Sequence, residues 1–123
     1  MSTVAEPALR VVLCNAPPEE AEALARAVLD ARLAACVNIL PGVVSLYWWQ
    51  GAVSRDVEST LLIKTRADLV PALTEALRAA HPYEVPEVIA LPLAEGEGNA
   101  AYRAWVVAET RDALTEGRAD EPA

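Results

Sequence analysis

Phenylalanine is absent from the 123 residues, and histidine and lysine occur once each, as His81 and Lys64. A single imidazole gives the serines at 45, 54 and 59 one candidate base, and no nucleophile triad takes shape. One lysine and a net charge of −8 leave no basic face of the kind nucleic acid requires. There is no glycine-rich phosphate loop and no HxE or CxxC metal spacing. Glu84 and Glu87 are close in sequence, but nothing marks them as an acid/base pair. No enzyme is therefore expected. Cysteine is limited to Cys14 and Cys36, too few for a disulfide framework. No apolar run approaches the ~20 residues of a membrane span. The start, MSTVAEPALR, lacks the apolar core of a signal peptide. The expectation is a cytoplasmic protein with free thiols and with no membrane or nucleic-acid partner.

What is present is apolar. Hydrophobic residues make up 54% of the chain, more than one small core absorbs, and surplus apolar surface points to a subunit interface. The length fits one domain. The negative charge suits solubility, and it also suits cations.

The most informative stretch is 34–65, AACVNILPGVVSLYWWQGAVSRDVESTLLIKT. It reads as two long strands joined by a turn at Gln50-Gly51, β-branched and aromatic on both sides. Each half exceeds the ~5–6 residues usual for a strand. The hairpin therefore overhangs a small sheet, and Tyr47, Trp48 and Trp49 at its tip need cover from another copy of the chain. Pro41-Gly42 marks a bulge that changes the face used by the side chains beyond it. On the returning strand Asp56, Glu58 and Thr60 share one face, and Val57, Leu61 and Ile63 share the other.

The remaining elements follow in order. Residues 8–14 (ALRVVLC) form a central strand. A helix runs over 18–33, with Ala21, Leu24, Ala25 and Val28 on its buried stripe. A second helix spans 68–80, with Asp68 as its N-cap and Pro71 in its first turn. His81-Pro82 ends that helix, and a strand follows over 87–93. Asn99 caps a third helix carrying Tyr102, Trp105 and Val106. Residues 116–123 form a polar tail, expected to be disordered. The fold class is α+β: a ferredoxin-like split βαβ sandwich with a long second-to-third-strand hairpin and an extra C-terminal helix.

Right-handed crossovers order the strands 4-1-3-2. The end of the first strand, with Cys14, and the start of the fourth, with His81, Tyr83 and Glu84, then meet at one rim. The hairpin tip lies at the same end. A thiol, the only imidazole, a phenol and a carboxylate converge there.

The segments VVLCNAP, ACVNILPGVVSLYWWQG, LLIKTR and HPYEVPEVIALP resemble the CutA family of divalent-cation tolerance proteins, in order and with spacing intact, over about residues 9–111. The resemblance implies a ferredoxin-like fold assembled as a homotrimer, similar in arrangement to PII-type signalling proteins, and a link to tolerance of copper and other divalent cations. It also implies metal contacts at Cys14 and His81. Ala80 stands where some members carry a further histidine.

Cys14 and His81 pair a soft thiolate with an imidazole, which suits copper or zinc. Two ligands do not complete a site, so Glu84, Tyr83, water or a neighbouring subunit must help. The plainer reading makes Cys14 a small buried apolar residue and His81 a satisfied helix end. Cys36 reads as core filler. Tyr47, Trp48, Trp49, Tyr102 and Trp105, with Glu58 and Lys64 as polar groups, either line an intersubunit cleft or form an interface core. Three functions stand open: a trimeric metal-ion-binding protein with no tightly bound cofactor, serving in the response to divalent cations such as copper; a PII-like sensor of a small anionic metabolite; or a rigid trimeric scaffold.

Overall fold

The computed structural model describes residues 6–112; the expected polar tail over 116–123 lies outside that range. Four strands form one antiparallel sheet: β1 (Leu9–Ala16), β2 (Cys36–Trp49), β3 (Ala52–Arg66) and β4 (Val88–Pro92). Their order is β2-β3-β1-β4, as the crossover argument requires. Helices α1 (Pro18–Asp30) and α2 (Val70–Ala80) contribute to the main core. A third helix, α3 (Ala100–Glu109), contacts β3.

Alternation places Val12, Cys14 and Ala16 of β1 beside Leu61 and Ile63 of β3 on the helix-covered face. The stripe Ala21, Leu24, Ala25 and Val28 of α1 closes over them, and Leu73 and Leu77 of α2 complete the layer. On the opposite face lie Val11 and Leu13 of β1, Leu62 of β3, and Ile89 and Leu91 of β4. Much of that face is open: Ile89 and Leu91 are about half exposed.

Two helix ends differ from the sequence expectation. Helix α1 stops at Asp30 rather than near residue 33. Arg32 takes a left-handed backbone at φ 59°, and the Leu33 N–H turns back to the Val28 carbonyl at 3.0 Å. This Schellman closure satisfies the last carbonyls. Asp68 does not cap α2. A 3₁₀ turn over Ala67–Leu69 precedes that helix, and the Asp68 carboxylate instead grips the Arg66 guanidinium, at 2.6 Å and 3.0 Å. A two-pronged charged pair outweighs a single capping bond. Asn99 does cap α3, its Oδ1 accepting from Ala101 N–H at 2.9 Å and Tyr102 N–H at 3.4 Å.

The hairpin forms as read. Gln50 (φ 49°) and Gly51 (φ 82°) make the left-handed pair of a tight hairpin turn. A register shift falls between Leu40 and Val43, with Gly42 at φ 70°. One extra residue reverses the facing of everything beyond it. Leu40 therefore points to the open face through its partner Thr60, and beyond the bulge Val43, Ser45, Tyr47 and Trp49 share that face with Glu58 and Asp56.

The β1–β3 pairing ends at Ala16–Ser59. Among the described residues, residues 52–58 of β3 therefore have β2 as their only strand neighbour and stand off the sheet as an arm. Val57 keeps the parity of Leu61 and Ile63 but lies on the arm, half exposed. Trp48 is 76% exposed and Leu46 67% exposed on that same side. Leu73, by contrast, is fully buried. Leu73→Ala is expected to lower unfolding free energy by about 2–5 kcal/mol, measured by urea denaturation with an unchanged m-value.

Candidate functional site

The site forms where the arm leaves the sheet. Asn15 near the end of β1, Ser45, Tyr47 and Trp49 of β2, Glu58 of β3, and Tyr83, Glu84 and Glu87 of the segment leading into β4 line a groove of about 800 Å³. That is the size of a small-molecule site. The bulge puts Tyr47 and Trp49 on the groove side. The extended backbone of His81, at ψ 139°, carries the chain out of α2 toward the same rim.

Asn15 organises this rim. Its Oδ1 accepts from the Thr60 hydroxyl at 2.6 Å, and its Nδ2 donates to Glu87 Oε1 at 3.2 Å. Its backbone carbonyl faces His81 Nε2 at 2.7 Å and also takes a long, weak contact from the Cys14 thiol at 3.9 Å. His81 Nδ1 accepts the Tyr83 N–H at 3.1 Å, which leaves the ring proton on Nε2. The Tyr83 hydroxyl donates to Glu58 Oε2 at 2.9 Å, and the Tyr47 hydroxyl donates to Asp56.

The sequence-predicted pair is thus brought to one place. Cys14 and His81 share the Asn15 carbonyl. Neither presents a free lone pair to a metal ion: both imidazole nitrogens are bonded, and Cys14 is fully buried on the helix side of the sheet. Burial first, then the charges of Glu87 and Glu58, push the Cys14 thiol from 9.0 up to about 11, so it carries its proton at neutral pH. Glu84 is exposed at the mouth of the groove. Among the described residues no three His, Cys, Asp or Glu side chains gather closely enough to hold an ion.

The electrostatics of the groove run one way. Among the described residues no lysine or arginine lines it. Burial and the neighbouring Glu58 raise the Glu87 carboxyl above its ordinary range. Burial, the bond to Glu58 and that carboxylate's charge raise the Tyr83 phenol, and the bond to Asp56 raises Tyr47. Every shift resists further negative charge, so the groove favours an incoming cation.

The aromatic residues do not form one set within a chain. Trp48 and Trp49 are consecutive on a strand and face opposite sides of the arm. Tyr102 and Trp105 stack on each other at 5.5 Å between ring centroids on α3, which lies toward the far end of β3. Lys64, paired with Val11 and Cys36, belongs to that far end and not beside Glu58. Cys36 faces the open side of the sheet, half buried, its Sγ 3.7 Å from the Lys64 ammonium, and so lies outside the helix-covered core. Asn15, Asp56 and Glu87 were not singled out from sequence as site residues. The alternation of Asp56 with Glu58 was the available signal for one of them; Asn15 gave none.

The fold is an antiparallel α+β domain with an arm, and an acidic groove lies at the arm's root. Residues 10–109 match the family model described as CutA1 divalent ion tolerance protein, and the chain belongs to that family. Divalent-cation tolerance protein CutA of Thermus thermophilus is 52% identical over 97 residues, covering 78% of this chain and 92% of that protein. Protein CutA 1, chloroplastic, of rice is 50% identical over 103 residues, covering 83% of this chain but 57% of that protein. The chain likewise spans 47% of human Protein CutA. The crystal structure of CutA1 from Oryza sativa superposes with a TM-score of 0.83 at 46% identity, over 87% of this chain and 97% of that one.

The Cys14 shift has a consequence for stability. The unfolded chain ionises this thiol near pH 9 and the folded chain near 11. The contribution is therefore complete below pH 9 and is lost as pH rises toward 11, because the unfolded state releases the proton first. Urea unfolding at pH 8 and pH 11 is expected to show a smaller alkaline loss for Cys14→Ala than for the unaltered chain. An equal loss in both excludes Cys14 as its source.

Proposed function

We propose that the protein is a non-catalytic, cytoplasmic homotrimer of ferredoxin-like subunits that binds divalent cations weakly at the arm's root and serves in the cellular response to such ions. The observation that carries this reading is the groove itself: Asp56, Glu58, Glu84 and Glu87 approach it, its phenols and the Glu87 carboxyl are shifted toward their protonated forms, and among the described residues no cationic side chain lines it. Membership of the CutA1 divalent ion tolerance family and the name of the Thermus relative support the same assignment.

The donor set supports a loose manner of binding. Carboxylates, phenols and an amide are oxygen donors, suited to hard divalent ions. They do not converge on one point, so an ion keeps much of its water and binds loosely. Copper, as the softer case, gains from Cys14 and His81 only after the Tyr83 N–H bond to the imidazole opens and the thiol loses its proton. An anionic metabolite in this groove is disfavoured by the same charges. Assembly is supported by the exposed apolar residues on both sides of the arm and on the open sheet face, since contiguous exposed apolar surface marks interaction sites.

Calorimetry with Mn²⁺ and with Cu²⁺ tests the assignment, on a sample whose mass by light scattering is expected to be that of three chains. The Glu58→Gln/Glu87→Gln protein is expected to lose Mn²⁺ binding. Cys14→Ser/His81→Ala is expected to keep Mn²⁺ binding and to weaken Cu²⁺ binding. Mn²⁺ binding that survives the loss of both carboxylates contradicts the groove as the site, and a monomeric mass contradicts the assembly.

A further inference from the structure

The acidic groove has walls that a hydrated metal ion does not use. The arm contributes Tyr47 and Trp49, and the segment leading into β4 contributes Tyr83 and Val85. All four are exposed large apolar or aromatic side chains. The volume, about 800 Å³, lies in the upper part of the range for sites that hold whole organic molecules. Both contributing segments belong to one chain, so the groove is formed without a neighbouring copy.

At its root Glu58 is only 7% exposed, yet among the described residues no cation pairs with it. The Tyr83 hydroxyl donates to its Oε2 at 2.9 Å, which leaves Oε1 to the groove. Glu87 comes to the same place. The ladder sets Asn15 opposite Thr60. The Thr60 hydroxyl donates to Asn15 Oδ1 at 2.6 Å, and Asn15 Nδ2 donates to Glu87 Oε1 at 3.2 Å. Glu58 precedes Thr60 by two positions, so the two share a face of the strand about 7 Å apart. Burial first, and then the charge of Glu58, raises the Glu87 carboxyl. Two carboxylates therefore meet here without a counter-charge, one of them buried.

Building on the groove as a cation site, we propose that it binds a small organic amine, its ammonium on Glu58 and Glu87 and its hydrocarbon body against Tyr47, Trp49, Tyr83 and Val85. An ammonium carries three N–H donors, enough to bridge two carboxylates with charge-assisted hydrogen bonds. A divalent ion that keeps its water shell leaves the aromatic walls wet, whereas a hydrocarbon body removes them from water. A cation beside aromatic rings gains further from their π-electrons. Trp48 and Val53 on the other side of the arm, and Ile89 and Leu91 on the sheet, stay available for assembly.

Hexylamine is the probe, titrated calorimetrically into the full chain in metal-free buffer at fixed ionic strength, beside hexan-1-ol and methylamine. Saturable hexylamine binding is expected, with both comparison compounds weaker by roughly tenfold or more, the scale of one charged hydrogen bond. Glu58→Gln is expected to weaken hexylamine by a similar factor, and Glu87→Gln provides a second loss should Glu58→Gln not fold. Trp49→Ala is expected to weaken hexylamine several-fold and Mn²⁺ by less. A parallel Mn²⁺ titration separates the two ligand classes. Mn²⁺ binding without hexylamine binding overturns the amine proposal alone, and hexylamine binding without Mn²⁺ binding overturns the metal-ion reading alone. Equal binding of hexan-1-ol shows an apolar groove without charge recognition, and equal binding of methylamine shows an acidic patch whose walls play no part. Either result overturns the proposal, as does undiminished hexylamine binding in folded Glu58→Gln or Glu87→Gln. The absence of saturable binding, the result if a neighbouring copy fills the groove, overturns it as well.

Discussion

The site depends on a mismatch of strand lengths. β3 has 15 residues and β1 has 8, and their pairing stops at Ala16–Ser59. An antiparallel ladder held by one neighbour instead of two continues past the sheet, because the β2–β3 bonds and the Gln50-Gly51 turn still close it. The end of β1 is then left in the angle between arm and sheet, and the segment after α2 crosses the same angle. Asn15 sits in that corner, and its amide and carbonyl tie together Thr60 of β3, Glu87 before β4 and His81 at the end of α2. One residue's polar groups therefore link three segments that meet only because the arm overruns the sheet.

The bulge decides what the arm shows to that corner. Without the extra residue between Leu40 and Val43, the ladder places Trp48 on the groove side and turns Tyr47 and Trp49 away. With it, the Tyr47 hydroxyl reaches Asp56, and Trp49 lines the groove. The two ends of the sheet diverge in charge as a result of where β3 places its polar residues: Asp56 and Glu58 at the arm's root, Lys64 and Arg66 at the far end.

The fold was legible wherever one local pattern acted alone. The period of Ala21, Leu24, Ala25 and Val28 fixed the buried stripe of α1, and Pro41-Gly42 fixed the bulge. Legibility failed where two local options competed. Asp68 was able to cap α2 or to grip Arg66, and the bidentate charged pair prevailed. Residues 31–33 continued the helical pattern, yet the chain closes with a left-handed Arg32. The rim was legible through topology, which placed Cys14 and His81 together. Their bonding was not, because it depends on Asn15, whose partners lie 45 and 72 positions away in the chain. The facing of Cys36 was equally hidden, since it rests on a register set by Lys64 across the ladder. A pattern of residue types shows which groups meet at an end of the sheet, while distant hydrogen bonds decide which of them keep a lone pair free.

The central claim is that divalent cations gather on the acidic groove and stay largely hydrated. Paramagnetic broadening of backbone amide signals by trace Mn²⁺ tests it most directly, since the effect reports proximity without requiring tight binding. The account predicts selective loss of signals from Asn15, Ser45, Tyr47, Glu58, Tyr83 and Glu87, with the amides of α1 and the Lys64 end of β3 unaffected. Broadening spread evenly over the surface carboxylates, with no preference for the groove, contradicts it.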